Sequence, residues 1–313
     1  MNSSIIQGHV GRGPIRLGWT WRVATASPFL LLMSACNRGI LDPVGPVGQA
    51  EKTILINSTA IMLAIVIPTM IATLAIAWWF RRSNSKATYL PDWEYSGAVE
   101  MVVWGIPVLT IMQLGGITWI SSRDLELSKP LASTKPPLMV EVVSLDWKWL
   151  FIYPDQGIAT VNRLVVPAET PVTYRLTSAT VWNVFFVPQF GTMIYTMPRM
   201  TTRLNLQADR QGAYEGLSAH FSGDGFPGMQ FKAEVLPVNQ FAMWAQGAHG
   251  QGGPLDATSY AQLSKPSSYV KPMTYGSVAP GLFDAIVADR VAQLQLPQAA
   301  PPPEQVPATA PGG

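Results

Sequence analysis

Residues 54–80, ILINSTAIMLAIVIPTMIATLAIAWWF, contain no charged side chain. About 20 apolar residues suffice to cross a bilayer as a helix, and this run exceeds that length. Within lipid, only a helix or a closed barrel satisfies the backbone hydrogen bonds, so the run is restricted to a helix. Trp78, Trp79 and Phe80 end it as an interfacial aromatic belt, and Arg81 and Arg82 follow at once. Pro68 lies inside, which membrane helices tolerate. A second uncharged run, MVVWGIPVLTIMQLGGITWISS, covers residues 101–122, with Glu100 directly before it. Together they predict a transmembrane hairpin with helices at about 54–80 and 98–120. Two buried core helices of a soluble protein are the alternative. Composition opposes it, because charged residues make up 13% of the chain against a soluble norm of about 25%.

Basic residues do not orient the hairpin alone. Arg81, Arg82 and Lys86 lie in the connecting loop, but Arg38, Lys52 and Arg123 lie on the outer flanks. The N-terminus decides. Arg12, Arg16 and Arg22 precede the apolar stretch FLLLM, then the small residues Ser34 and Ala35, then Cys36. A basic region, a short apolar core and small residues before a cut describe a secretory signal. LLMSAC resembles a bacterial lipobox, with Met33 where leucine is preferred. Residues 1–35 are therefore expected to be a lipoprotein signal peptide and Cys36 the lipid attachment site. An uncleaved leader with an incidental cysteine is the alternative. With Cys36 outside, the loop is cytoplasmic and everything after about residue 123 is periplasmic. Cys36 is the single cysteine, which excludes an internal disulfide and any zinc or iron–sulfur site built on several thiolates. The net charge of +2 gives no reason to expect nucleic acid.

The pattern changes after SKPLASTKPP. MVEVVSLDWKWLFIYP, GIATVNRLVVP, TPVTYRLTS, WNVFFVPQF, TTRLNLQ and MQFKAEVLP are short β-rich runs separated by Pro, Gly and Asn. They predict an all-β sandwich or Greek-key barrel over 126–237, after a membrane unit spanning 36–125. Trp147 and Trp149 fall on one face of a strand, Asp146 and Lys148 on the other. LDATSYAQLSKPS and GLFDAIVADRVAQL predict short amphipathic helices in a C-terminal extension, 238–296. Residues 297–313 are Pro/Ala-rich and expected to be disordered. The fold class is thus an α+β membrane protein. No P-loop, G-x-S-x-G elbow, H-E-x-x-H or credible triad occurs, so no active site of its own is expected.

The stretch GLSAHFSGDGFPGM, Gly216–Met229, has the glycine and aromatic content of a loop built to hold something. With LDPVGPVG, VEMVVWGIPVL, EVVSLDWKWLFIYPDQGIATVN and LSKPSSY, it closely resembles subunit II of bacterial haem–copper ubiquinol oxidases of the cytochrome bo type. The resemblance runs from about Cys36 to about residue 290. It implies a membrane hairpin carrying a cupredoxin-like barrel in the periplasm of the bacterial inner membrane. The implied partners are catalytic subunit I, the small subunits III and IV, and membrane lipid. Haems and copper are expected in subunit I, with ubiquinol as the substrate of the complex and no cofactor in this chain.

In copper-bearing relatives the same loop reads C-S-E-x-C-G-x-x-H-x-x-M. Laid on that pattern, Ser218 and Ser222 stand at the cysteine positions, His220 at the glutamate and Phe226 at the histidine. Met229 keeps the methionine, and Asn183 stands at an earlier histidine position. Serine hydroxyls are hard and neutral and cannot replace bridging thiolates, and phenylalanine has no lone pair. These are read as vacated copper-ligand positions, with His220 and Met229 read as a turn histidine and a core methionine ahead of a weak two-ligand metal site. The resemblance places Glu100 at the entrance of a proton-uptake channel. The plain alternative is a carboxylate favoured by a helix N-terminus. It assigns Trp147 and Trp149 to packing against subunit I. The rival functions are a copper-binding cytochrome c oxidase subunit II and a membrane-anchored scaffold lipoprotein.

Overall fold

The computed structural model describes residues 39–88 and 90–295. The expected signal, Cys36 and the tail 297–313 lie outside the described residues. Two long helices come first, α1 (Pro46–Trp79) and α2 (Gly97–Asp124). Both are apolar on every side, with Met70, Leu74, Met101 and Leu109 among the many exposed large side chains. A helix of that character belongs in lipid. Several of their threonine hydroxyls are satisfied within the helix. Thr69 Oγ1 donates to the Ile65 carbonyl and Thr110 Oγ1 to that of Ile106, each at 2.8 Å.

α1 begins well before the uncharged run. Pro46 occupies its first turn, where a missing N–H costs nothing. At 1.5 Å per residue its 34 residues span about 51 Å, against a hydrocarbon core of about 30 Å. The surplus, which carries Glu51 and Lys52, rises out of the lipid toward the β-domain. There the chain is clamped. The Val44 N–H donates to the Gln189 carbonyl at 2.8 Å, and the Val44 carbonyl accepts from Asp209 N–H at 2.7 Å. Val44 and Val47 are buried in the barrel core, and Arg210 pairs with Asp42 at 2.7 Å. Gly45 lies so close to the barrel that a Cβ would overlap the Gln207 carbonyl oxygen.

The β-domain holds ten strands in two sheets, joined by one further strand from the C-terminal segment, which also forms a two-stranded sheet of its own. They are β1 (Leu138–Leu145), β2 (Lys148–Tyr153), β3 (Ile158–Val161), β4 (Arg163–Pro167) and β5 (Val172–Ser178). After them come β6 (Asn183–Phe186), β7 (Ile194–Thr196), β8 (Thr202–Leu206), β9 (Gly212–Ser218) and β10 (Gln230–Leu236). The C-terminal segment adds α3 (Val238–Ala248), β11 (Pro254–Leu255), α4 (Ala257–Leu263), β12 (Met273–Tyr275), β13 (Ser277–Val278) and α5 (Leu282–Val287). One sheet has the order β12-β3-β2-β1-β5-β8, the other β4-β10-β9-β6-β7. β1 pairs with β5 and β4 with β10 in parallel, while their other neighbours are antiparallel. This mixed Greek-key sandwich is cupredoxin-like.

Between the sheets lies an aromatic core. Phe185 and Phe231 stack with centroids 5.4 Å apart, and Trp149 meets both edge-on at 5.6 and 5.7 Å. Each such buried ring contributes about 1.5–3 kcal/mol of transfer free energy. The six-stranded sheet has a second apolar face. Val143, Leu145, Leu150 and Ile152 pack there under Leu255, Tyr260, Leu263 and Phe283. Every residue of β2 is therefore buried, which is why KWLFIY lacks the alternation of a one-sided strand.

The expectation of a separate helical extension over 238–296 is modified. That segment covers the outer face of the sheet and adds β12 as its edge strand, paired with β3. Its helices are short, and α4 is fixed by a capping box between Asp256 and Ser259.

Gly45→Ala is expected to destabilise the full-length chain by about 1–3 kcal/mol, because the new methyl displaces the clamp. Gly247→Ala, at an exposed helical position with open space around it, is expected to be neutral or stabilising by up to about 1 kcal/mol. Thermal unfolding of the two variants side by side checks the pair.

Candidate functional site

β6 starts at Asn183 and β9 ends at Ser218, and the strands pair with Phe185 opposite Ser218. This register delivers two buried polar side chains to one end of the five-stranded sheet. Ser218 Oγ donates to Asn183 Oδ1 at 3.1 Å and also lies 3.2 Å from the His220 carbonyl. The chain then leaves as a loop and returns at Met229, whose carbonyl accepts from the Ser218 N–H at 3.2 Å. A single 3-10 turn, Phe226–Gly228, tightens the return. Ser222 Oγ donates to Met229 Sδ at 3.9 Å, and Met229 is buried. Asn183, Ser218, Ser222 and Met229 are thus brought together. His220 is exposed with its imidazole edge-on to Tyr195 at 5.9 Å, and Phe226 lies against Phe221 at 5.6 Å.

Two aromatic side chains cover this loop. β1 and β2 are joined by the two-residue turn Asp146–Trp147, and Trp147 adopts φ 63°, uncommon for a bulky residue. Its indole lies over Gly225, where a Cβ would overlap the ring. Trp147 Nε1 donates to the Ser222 carbonyl at 3.0 Å. From the C-terminal segment, Tyr269 lies against Gly228, where a Cβ would come within 2.9 Å of its ring.

The shared strand face expected for Trp147 and Trp149 is corrected. Trp147 sits in the turn, outside the strand. Trp149 is 0% exposed in the core between the sheets and presents no surface to a partner subunit. The pairing register causes this: Leu145 faces Lys148, which leaves Trp147 outside the ladder. Lys148 is not on an open face either. Its Nζ donates to the Lys265 carbonyl at 2.8 Å and to Ser267 Oγ at 2.7 Å, pinning the C-terminal segment to the sheet. Burial pushes the Lys148 pKa down, opposed by the Asp146 carboxylate. Sequence reasoning missed this tie; its signal was a lone lysine inside the apolar run DWKWLFIY.

The donor set does not fit a dinuclear copper centre. At four of the six positions where the resemblance implies copper ligands stand two hydroxyls, an amide and a phenyl ring, and none of the four supplies a bridging thiolate or an imidazole. Among the described residues, no three His, Cys, Asp or Glu stand close enough to share a metal ion. The loop is ordered by hydrogen bonds and aromatic cover. Glu100 lies elsewhere, exposed in the first turn of α2, its N–H donating to the Ser96 carbonyl at 3.0 Å.

A two-helix membrane hairpin clamped to a cupredoxin-like barrel is the architecture of an oxidase-type subunit II. Residues 154–235 match the family described as "Cytochrome C oxidase subunit II, periplasmic domain", and residues 249–292 match the "COX Aromatic Rich Motif". The cytochrome bo(3) ubiquinol oxidase subunit 2 of Pseudomonas aeruginosa is 45% identical over 82% of this chain and 78% of that protein. That of Pseudomonas putida is 46% identical over 83% of each, and ubiquinol oxidase subunit 2 of Acetobacter aceti is 46% identical over 82% and 84%. The chain belongs to the ubiquinol oxidase subunit 2 family.

Removing the indole should loosen this loop selectively. Trp147→Ala is expected to raise amide hydrogen exchange at residues 222–229 while β1 and β2 stay protected. Trp147→Phe, which keeps an aromatic ring but loses the bond to Ser222, is expected to cost about 1 kcal/mol. Exchange in β1 and β2 rising equally would show that the side chain serves the core instead.

Proposed function

We propose that this chain is the copper-free, non-catalytic subunit II of a proton-pumping ubiquinol oxidase that oxidises ubiquinol and reduces oxygen to water. The observation that carries the reading is the donor set at 183, 218, 222 and 226, in a chain 45–46% identical to ubiquinol oxidase subunits 2. A periplasmic one-electron donor needs a receiving metal in the periplasmic domain. Ubiquinol is lipid-soluble and delivers its electrons from within the membrane, so this barrel need not carry any. Haems and copper belong to subunit I in this reading. The hairpin packs on subunit I beside the small subunits III and IV, and the barrel caps the periplasmic face. Trp147, at the covered loop, is the side chain proposed for that contact; Trp149 supports it only from within the core.

The complex lies in the bacterial inner membrane with the barrel outside. Acylated Cys36 is proposed as a further anchor, each buried CH₂ adding about 0.8 kcal/mol. Glu100 opens α2 at the end of the hairpin remote from the barrel, on the cytoplasmic side, where a carboxylate can pass protons toward subunit I.

Affinity purification of the tagged full-length chain is expected to bring down a haem-bearing partner with quinol-dependent oxygen uptake. Absence of haem would favour the scaffold reading. Copper analysis of the separated subunit is expected to find none bound stoichiometrically; two copper ions per chain would restore the cytochrome c oxidase reading.

Glu100→Ala is expected to slow quinol-dependent oxygen uptake several-fold, with haem content and assembly intact. Glu100→Asp is expected to recover part of the rate. Unchanged turnover in the purified complex removes Glu100 from the proton path.

A further inference from the structure

The end of the hairpin remote from the barrel holds a cavity of about 1000 Å³, between the end of α1 and the connecting loop. Its lining is of two kinds, cationic with Arg81, Arg82 and Lys86, and apolar with Ile76, Trp79, Phe80 and Trp93. Arg81 is held in place. Its Nη1 donates to the Trp78 carbonyl at 2.9 Å, its Nε donates to Ser83 Oγ at 3.0 Å, and its guanidinium lies 4.5 Å over the Trp78 ring. The side chains of Arg82 and Lys86 make no ion pair or hydrogen bond among the described residues. The carboxylates of the same loop, Asp92 and Glu94, do not line the cavity.

Three cations therefore line one concave site with no anion supplied among the described residues. A solvated positive patch would need only the charges. This site also has an apolar part that continues into the exposed apolar surface of α1, where Ile76 is 58% exposed and Phe80 60%. A phosphate group uses the cationic lining alone. An amphiphile uses both kinds, with its acyl chains running down past Ile76.

We propose that this cavity binds the phosphate-bearing headgroup of one anionic phospholipid of the cytoplasmic leaflet. The proposal rests on the hairpin spanning the membrane, but not on Glu100 or on the absence of copper. Basic side chains at the membrane surface each contribute measurably to anionic-lipid attraction. An indole ring beside them suits the headgroup level.

The test uses the intact complex, purified in detergent and delipidated. Native mass spectrometry follows the retention of added phosphatidylglycerol or phosphatidylcholine, and a parallel arm adds inorganic phosphate. One phosphatidylglycerol is expected to be retained in preference to phosphatidylcholine. The double variant Arg82→Gln/Lys86→Gln is expected to weaken that retention about thirty-fold. The charge-keeping variant Arg82→Lys/Lys86→Arg is expected to retain the lipid. Raising the salt about tenfold is expected to weaken wild-type retention, since exposed charges are screened.

Equal retention of both lipids overturns the proposal, as does retention that ignores salt. Inorganic phosphate saturating the site without lipid retention overturns the lipid assignment. Should the glutamine variant fail to assemble, judged by haem content, the lipid preference and salt dependence of the wild type decide. Quinol-dependent oxygen uptake, followed in parallel, keeps failure of this proposal distinct from failure of the oxidase assignment.

Discussion

Everything in the periplasmic part depends on the six-stranded sheet being covered on both faces. A sheet exposed on one side shows alternating polarity; β2 here has no exposed side to show it. One face closes the aromatic core around Trp149, Phe185 and Phe231, and the other requires the C-terminal segment. Without that segment, Leu150, Ile152 and Val161 would be open to water, at about 25 cal/mol for each Å² exposed. The segment is thus an integral part of the domain, and the match to the aromatic-rich motif, residues 249–292, falls within it.

The membrane helices were legible because lipid imposes a long uncharged run and little else satisfies that pattern. Their ends were less so. α1 begins at Pro46, beyond the charges of Glu51 and Lys52, because a helix that leaves the bilayer stays helical when a folded domain holds it. The barrel was legible as many short strands, but the fate of individual residues was not. The spacing of Trp147 and Trp149 predicts a common face; a two-residue turn that includes Trp147 breaks that logic. Periodicity reports strands and is silent on where a hairpin reverses. Lys148 was equally hidden, since its partners lie more than a hundred residues downstream.

At the loop after β9 the sequence was most informative through what it lacks. The structure adds how the loop keeps its shape. Where the resemblance implies that relatives cross-link two strands and a loop through metal, this chain uses the Ser218–Asn183 bond, the Ser222–Met229 contact and the Trp147 and Tyr269 rings. Each is individually modest, about 1 kcal/mol or so for a hydrogen bond. Together they hold the frame in an order that soft ligands would otherwise impose.

The clamp at residues 42–48 bears on how the molecule is made. Val44 pairs with Gln189 and Asp209, so residues synthesised among the first described complete a barrel whose strands emerge much later. Both must stand on the same side of the membrane before the last backbone bonds can close. A chain whose N-terminal stretch stayed behind during insertion would leave the Val44 and Val47 sockets empty and the barrel unfinished. Folding of the exported domain thereby reads out whether the hairpin was threaded correctly, a check of topology written into the native contacts themselves.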